Sequence, residues 1–160
     1  MLRTRKKHLG FTLIEMLVTL AIVAILAAAA LPLAKIAVKR QKEIELQRTM
    51  RVIREAIDLF KKMADEKKIV TEDETQGYPP DLETLVEGVE VKETREGKES
   101  IRYHKFLRRI PKDPMTNSTE WGLRSYQDAP DTNVWGGENV YDVYTKSPGI
   151  ALDGSKYRDW

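Results

Sequence analysis

Apolar residues crowd into one early stretch of the chain. Residues 16–34 carry no charge, and only Thr19 and Pro32 interrupt their apolar character. As a helix rising about 1.5 Å per residue, that run covers about 29 Å, close to the hydrocarbon thickness of a bilayer. From Lys35 the pattern becomes periodic. Leu46, Met50, Ile53, Ile57 and Phe60 recur in steps of four and three, which places them on one helical stripe. Val52, Ala56, Leu59 and Met63 widen the stripe to the face expected of a helix packed on a domain, with Arg48, Arg51, Arg54, Glu55, Asp58, Lys61 and Lys62 on the remaining surface. No proline or glycine lies between Leu33 and Gly77, so one helix is predicted from Phe11 to about Asp65.

Beyond it the signals shorten. Residues 71–76 are polar and Gly77-Tyr78-Pro79-Pro80 ends any helix, which makes residues 66–80 a connector. Asp81 caps a short helix through Val86. Residues 89–91 and 101–103 read as short strands around a Glu96-Gly97 turn, inside a charged loop over 92–99. Ile110-Pro111-Lys112-Asp113-Pro114 forces an extended or turning chain. Residues 121–126 and 140–145 are strand candidates separated by the turn residues Asp128-Ala129-Pro130-Asp131 and Gly136-Gly137. One long helix followed by short strands indicates an α+β fold with a small antiparallel sheet.

Composition narrows the chemistry. The 160 residues suit one modest domain with an appendage, and the net charge of +2 argues against a nucleic-acid partner. With no cysteine, neither a disulfide framework nor a thiolate metal site is available. His8 and His104 are the only histidines and join no catalytic constellation, and no glycine-rich phosphate loop occurs, so an enzyme is not expected. Trp121, Trp135 and Trp160 are read as core aromatics rather than as a binding surface.

Four readings of the apolar run compete. A secretory signal peptide would have a shorter apolar core and a small-residue cleavage site, which Ala27 to Ala30 imitate. A plain signal anchor accounts for the span alone, and a buried core helix would not be so long and uniformly apolar. Arg3, Arg5, Lys6, Lys7 and His8 precede the run, but Lys35, Lys39, Arg40 and Lys42 follow it, so basic residues alone do not set its orientation. Glu15, one residue ahead of the uncharged run, favours the fourth reading. An acid within a spanning helix costs on the order of 2.5–3.5 kcal/mol at the centre and less near an interface, and it marks a function or a partner.

Gly10-Phe11-Thr12-Leu13-Ile14-Glu15 resembles the processing signature of type IV prepilins and of the pseudopilins of type II secretion. The resemblance implies a type IV pilin-like fold, with the lower half of the long helix in the membrane and the upper half on the sheet. It implies cleavage by a prepilin peptidase after Gly10, N-methylation of Phe11, and Glu15 as the acid that meets a neighbouring subunit's amine. Pro32 matches the proline that the family carries partway along its apolar helix, where it either kinks the helix or melts it locally during packing. The expected organisation is a cleaved leader over 1–10, a transmembrane and assembly helix over 11–34, its amphipathic upper half over 35–65, and a periplasmic domain over 66–160.

Tyr78-Pro79-Pro80-Asp81-Leu82, residues 107–114 and Tyr141-Asp142-Val143-Tyr144 look like segments of the major, G-type pseudopilin. That likeness implies a filament in the periplasm built from copies of this chain and other pseudopilins. An inner-membrane secretion platform and its ATPase would be further partners, beside the lipid bilayer itself. The implied localisation is the bacterial inner membrane, single-pass, with a cytoplasmic N-terminus. The alternatives are a type IV pilus pilin for adhesion, motility or DNA uptake and, from another class, an anchored periplasmic binding domain that does not polymerise. Major pseudopilins also commonly hold calcium in a glycine- and acid-rich loop. Here Asp153-Gly154 and Asp159 are interrupted by Lys156 and Arg158, so no cofactor is expected, and Asp142 and Asp153 are the candidate calcium ligands that are left.

Overall fold

The computed structural model describes residues 10–95, 98–129, 132 and 134–160. The leader over 1–9, the Glu96-Gly97 turn and the Pro130-Asp131 part of the later turn lie outside the described residues. The chain divides into two compact units, Met1–Lys39 and Arg40–Trp160. A single helix, α1 (Leu13–Asp65), contributes to both, and it continues through Pro32 without a break. The expected start at Phe11 moves two residues because Thr12 caps the helix rather than joining it.

In the first unit every described side chain from Phe11 to Val38 is exposed, whatever its polarity. The second unit is built on the periodic part of α1. Leu46, Met50, Ile53, Ile57 and Phe60 are each 2% exposed or less. Removing such side chains from water is worth about 1.5–3 kcal/mol apiece, so burial outweighs intrinsic propensity in holding this half of the helix. Ala56 is buried beside them and Met63 is half-buried, but Val52 and Leu59 are 43% and 39% exposed, against the expectation that they pack inward. At 100° per residue they lie about 120–140° round the helix from the stripe's centre, beyond the reach of the core.

The short helix α2 (Leu82–Glu87) starts as its sequence predicts: the Asp81 carboxylate accepts from the Thr84 amide and hydroxyl, both at 2.7 Å. It ends at Gly88, with φ +90°, where a Cβ atom would run into the His104 carbonyl. Strands β1 (Val89–Arg95) and β2 (Lys98–His104) pair antiparallel, from Val89 opposite His104 to Arg95 opposite Lys98. Strands β3 (Gly122–Arg124) and β4 (Asp142–Tyr144) form a second antiparallel pair. Among the described residues the expected small sheet takes the form of two two-stranded antiparallel sheets. After β2 the Phe106 and Leu107 amides turn to the Leu85 carbonyl, and Pro111 and Pro114 carry no N–H with which to extend a ladder. Ile69, Leu82, Leu85, Val91, Leu107, Trp121, Val140, Val143, Ala151 and Tyr157 complete the core against α1.

Candidate functional site

Two sets of polar side chains stand out, one at the start of α1 and one where the closing segment 142–160 meets it. At the start, Gly10 is exposed, and a Cβ atom there would meet nothing within 4 Å. The fold therefore gives no steric reason for glycine at this position. Phe11 is 79% exposed. Glu15 is tied to its own helix end: its Oε2 accepts from the Thr12 amide at 3.2 Å and the Thr12 hydroxyl at 3.3 Å, while Thr12 Oγ1 accepts from the Glu15 amide at 3.2 Å. This reciprocal arrangement is a capping box, and it satisfies donors that a helix start leaves open. The spacing Thr12-x-x-Glu15 was the signal for it in the sequence. Pro32, farther along, removes the amide that would have bonded the Ala28 carbonyl, yet the helix runs through it.

The closing segment meets α1 at Glu43 and Arg54. Glu43, 9% exposed, accepts at Oε1 from the Leu152 amide at 2.9 Å and the Tyr157 hydroxyl at 2.8 Å. Burial first, and then that hydrogen bond, pushes the Tyr157 phenol up to about 12. Arg54 donates from Nε to Asp142 Oδ1 at 2.6 Å, and from Nη2 to Asp142 Oδ2, the Val143 carbonyl and the Trp160 carbonyl at 3.3, 3.2 and 2.9 Å. Arg124 adds a second guanidinium 3.6 Å from Asp142 and stacks on the Tyr144 ring at 4.6 Å. Arg54, read from the sequence as ordinary surface, is thus half-exposed and fully engaged on one edge. Nothing local in the sequence marks its partner, which lies 88 residues away.

The calcium candidates fall in this region and do not form a cation cage. The Asp142 carboxylate faces two arginines. Asp153 Oδ1 instead accepts from the Ser155 amide at 2.8 Å and hydroxyl at 2.6 Å, and these bonds hold its carboxyl below the usual range. Asp159 pairs with its neighbour Arg158 at 3.8 Å. Among the described residues no three histidine or carboxylate side chains come together as a metal site. Calcium requires six to eight oxygens, and this donor set does not fit it.

Elsewhere, Trp121 is buried as expected and donates to the Pro111 carbonyl at 2.9 Å. Trp135 and Trp160 are half-buried, donating to the Asn139 carbonyl at 2.8 Å and the Ser155 hydroxyl at 2.7 Å. His104 packs edge-on to Phe106, with ring centroids 4.8 Å apart.

Residues 5–31 match the family model described as the prokaryotic N-terminal methylation motif. The match takes in Gly10, Phe11, Glu15 and most of the uncharged run, and supports the type IV pilin-like prepilin reading of this end of the chain. It stops well short of the sheets. No curated protein and no solved structure matches the chain.

Proposed function

We propose that this chain is the precursor of a filament subunit, cut between Gly10 and Phe11, methylated on the new amine and polymerised through α1. In the finer form of this reading it is a non-catalytic pseudopilin of a type II secretion filament in the periplasm. The observation that carries the proposal is the register at the start of α1. A glycine that the fold does not require is followed by an exposed phenylalanine, a capped helix whose first charge is Glu15, and an exposed apolar run, all within the methylation motif.

From this chain the proposed chemistry needs only these groups; the water, the peptidase and the methyl donor come from outside it. Hydrolysis of the Gly10–Phe11 bond leaves a carboxylate on the leader and an ammonium on Phe11, and methylation keeps the positive charge. In a low-dielectric bundle that ammonium and a carboxylate attract strongly, whereas either alone carries a desolvation penalty. In the lone subunit the Glu15 carboxylate is satisfied by Thr12; in a filament it would exchange that contact for the amine of a neighbour. The apolar run would move from lipid to the flanks of other α1 helices, so each environment covers the same surface. The work of extraction falls to a separate ATPase of the secretion platform.

Intact-mass measurement of the protein from its native membranes tests the first step. The expected product begins at N-methylated Phe11, and a chain that retains its first ten residues rejects the reading. Glu15→Ala is expected to insert into the membrane normally but to lose subunit crosslinks, and undiminished filaments from that variant would count against it. Loss of secreted enzymes in a deletion strain supports the pseudopilin, whereas loss of surface fibres would assign the chain to a pilus.

A further inference from the structure

The closing segment 142–160 is fastened to α1 at two polar points of opposite sign. Glu43 offers only acceptors and meets two donors, the Leu152 amide and the Tyr157 hydroxyl. Arg54 offers only donors and meets acceptors, the Asp142 carboxylate and the Val143 and Trp160 carbonyls. Eleven residues separate the two positions. That spacing is three helical turns, which puts both on one face within about 20° and about 16 Å apart along the axis. Between the clamps the segment adds its own closures: Ala151 donates to the Ser155 carbonyl at 2.7 Å and Ile150 bridges Lys156. Tyr157 lies edge-on to Trp160 at 5.2 Å.

A divalent cation would tie such a segment by gathering its carboxylates and carbonyls around one charge. Here both candidate carboxylates, Asp142 and Asp153, are already engaged. Asp142 and the carbonyls of Val143 and Trp160 are held by Arg54, and Asp153 is folded onto Ser155. Arg54 sets a fixed positive charge directly against Asp142, with Arg124 beside it, and a guanidinium there repels a cation from that carboxylate. We infer that the Glu43 and Arg54 clamps replace a bound calcium ion in this chain, so that the closing segment is held on α1 by protein groups alone.

Limited trypsin digestion of the full chain in detergent micelles tests this, because Lys156 and Arg158 sit inside the clamped segment and cleavage there reports its opening. Cleavage of the unmodified chain is expected to proceed at the same rate in a chelator and in calcium at about 1 mM, the weak end of extracellular calcium modules. Protection by calcium of about threefold or more would overturn the inference, as would a calcium-dependent rise in melting temperature of about 5 °C. Arg54→Ala and Glu43→Ala are each expected to speed cleavage at these two sites about tenfold, still without response to calcium. Should either variant fail to fold, Arg54→Lys, which keeps the charge but loses the fork, and Glu43→Gln, which keeps the size, are expected to speed cleavage by about threefold. Rates unchanged by the substitutions would remove the clamps as the cause.

Discussion

Asp113 has no exposed surface, and its carboxylate accepts from the Met115 amide at 2.7 Å, the Thr116 hydroxyl at 3.1 Å and the Thr145 hydroxyl. A buried carboxyl group with three matched donors is stabilising only while all are in place. Asp113→Ala would strand the Thr145 hydroxyl and the Met115 amide, and is expected to cost about 3 kcal/mol in the denaturant unfolding of the full chain in micelles. Trp121, bonded to the Pro111 carbonyl beside this site, provides the fluorescence signal. A loss under about 0.5 kcal/mol, the usual range of surface changes, would show that the contacts are incidental. The sequence placed Asp113 in a proline-bounded turn and went no further, because its partner Thr145 lies 32 residues away. Glu15 is the converse case. It is legible as an acid out of place in an apolar run, and the Thr12-x-x-Glu15 spacing also encodes the capping box that holds it. Asn139 was equally hidden: fully buried, it bonds the Tyr126 amide at 3.0 Å and the Gln127 side chain at 3.0 Å, which no periodicity encodes.

At the level of elements, strong periodicity transferred well and short patterns less so. The five-residue stripe of α1 and the Asp81 cap came through intact because each follows from local spacing. Strands β1 and β2 run longer than their apolar cores, since pairing extends through charged residues that carry no hydrophobic signal. Strands β3 and β4 are shorter than expected, and β3 carries Gly122 opposite Tyr144, whose ring covers the glycine and fills the place of a Cβ atom. The docking of the turn Tyr157–Asp159 on α1 carries a pH dependence of its own. Folding raises the Tyr157 phenol from its ordinary value near 10 to about 12, so the folded state holds that proton more tightly. Its contribution is complete below about pH 10 and is lost as pH rises through about 12. Tyr78, raised chiefly by its burial, acts in the same direction. Comparing unfolding of the unmodified chain and Tyr157→Phe across that range is expected to show a shallower alkaline loss in the variant. Identical slopes would mean that the Glu43 contact opens before the phenol ionises.

Across the whole molecule, the two units differ in what covers their apolar side chains. In Arg40–Trp160 the chain buries its own stripe, whereas in the described part of Met1–Lys39 the apolar side chains are left exposed. A continuous exposed apolar surface of this kind calls for lipid, detergent or other chains. A chain begun at Arg40 is accordingly expected to be monomeric and folded in plain buffer by size-exclusion chromatography and circular dichroism, while the full chain aggregates unless detergent is present. Aggregation of the shortened chain would locate the sticky surface on the sheets or on the exposed Val52 and Leu59 instead. The exposed apolar run was readable from composition alone, because it depends on total apolar content rather than on partners. The closing contacts were not, and they set a timetable. Glu43 meets Leu152 and Tyr157, and Arg54 meets Trp160, across 109, 114 and 106 positions of sequence. At a synthesis rate of about 5–20 residues per second, Glu43 and Arg54 leave the ribosome roughly 5–20 s before the groups that complete them. Throughout that interval the stripe from Leu46 to Phe60 lacks Val140, Val143 and Tyr157, so the newborn chain must be shielded until these residues arrive.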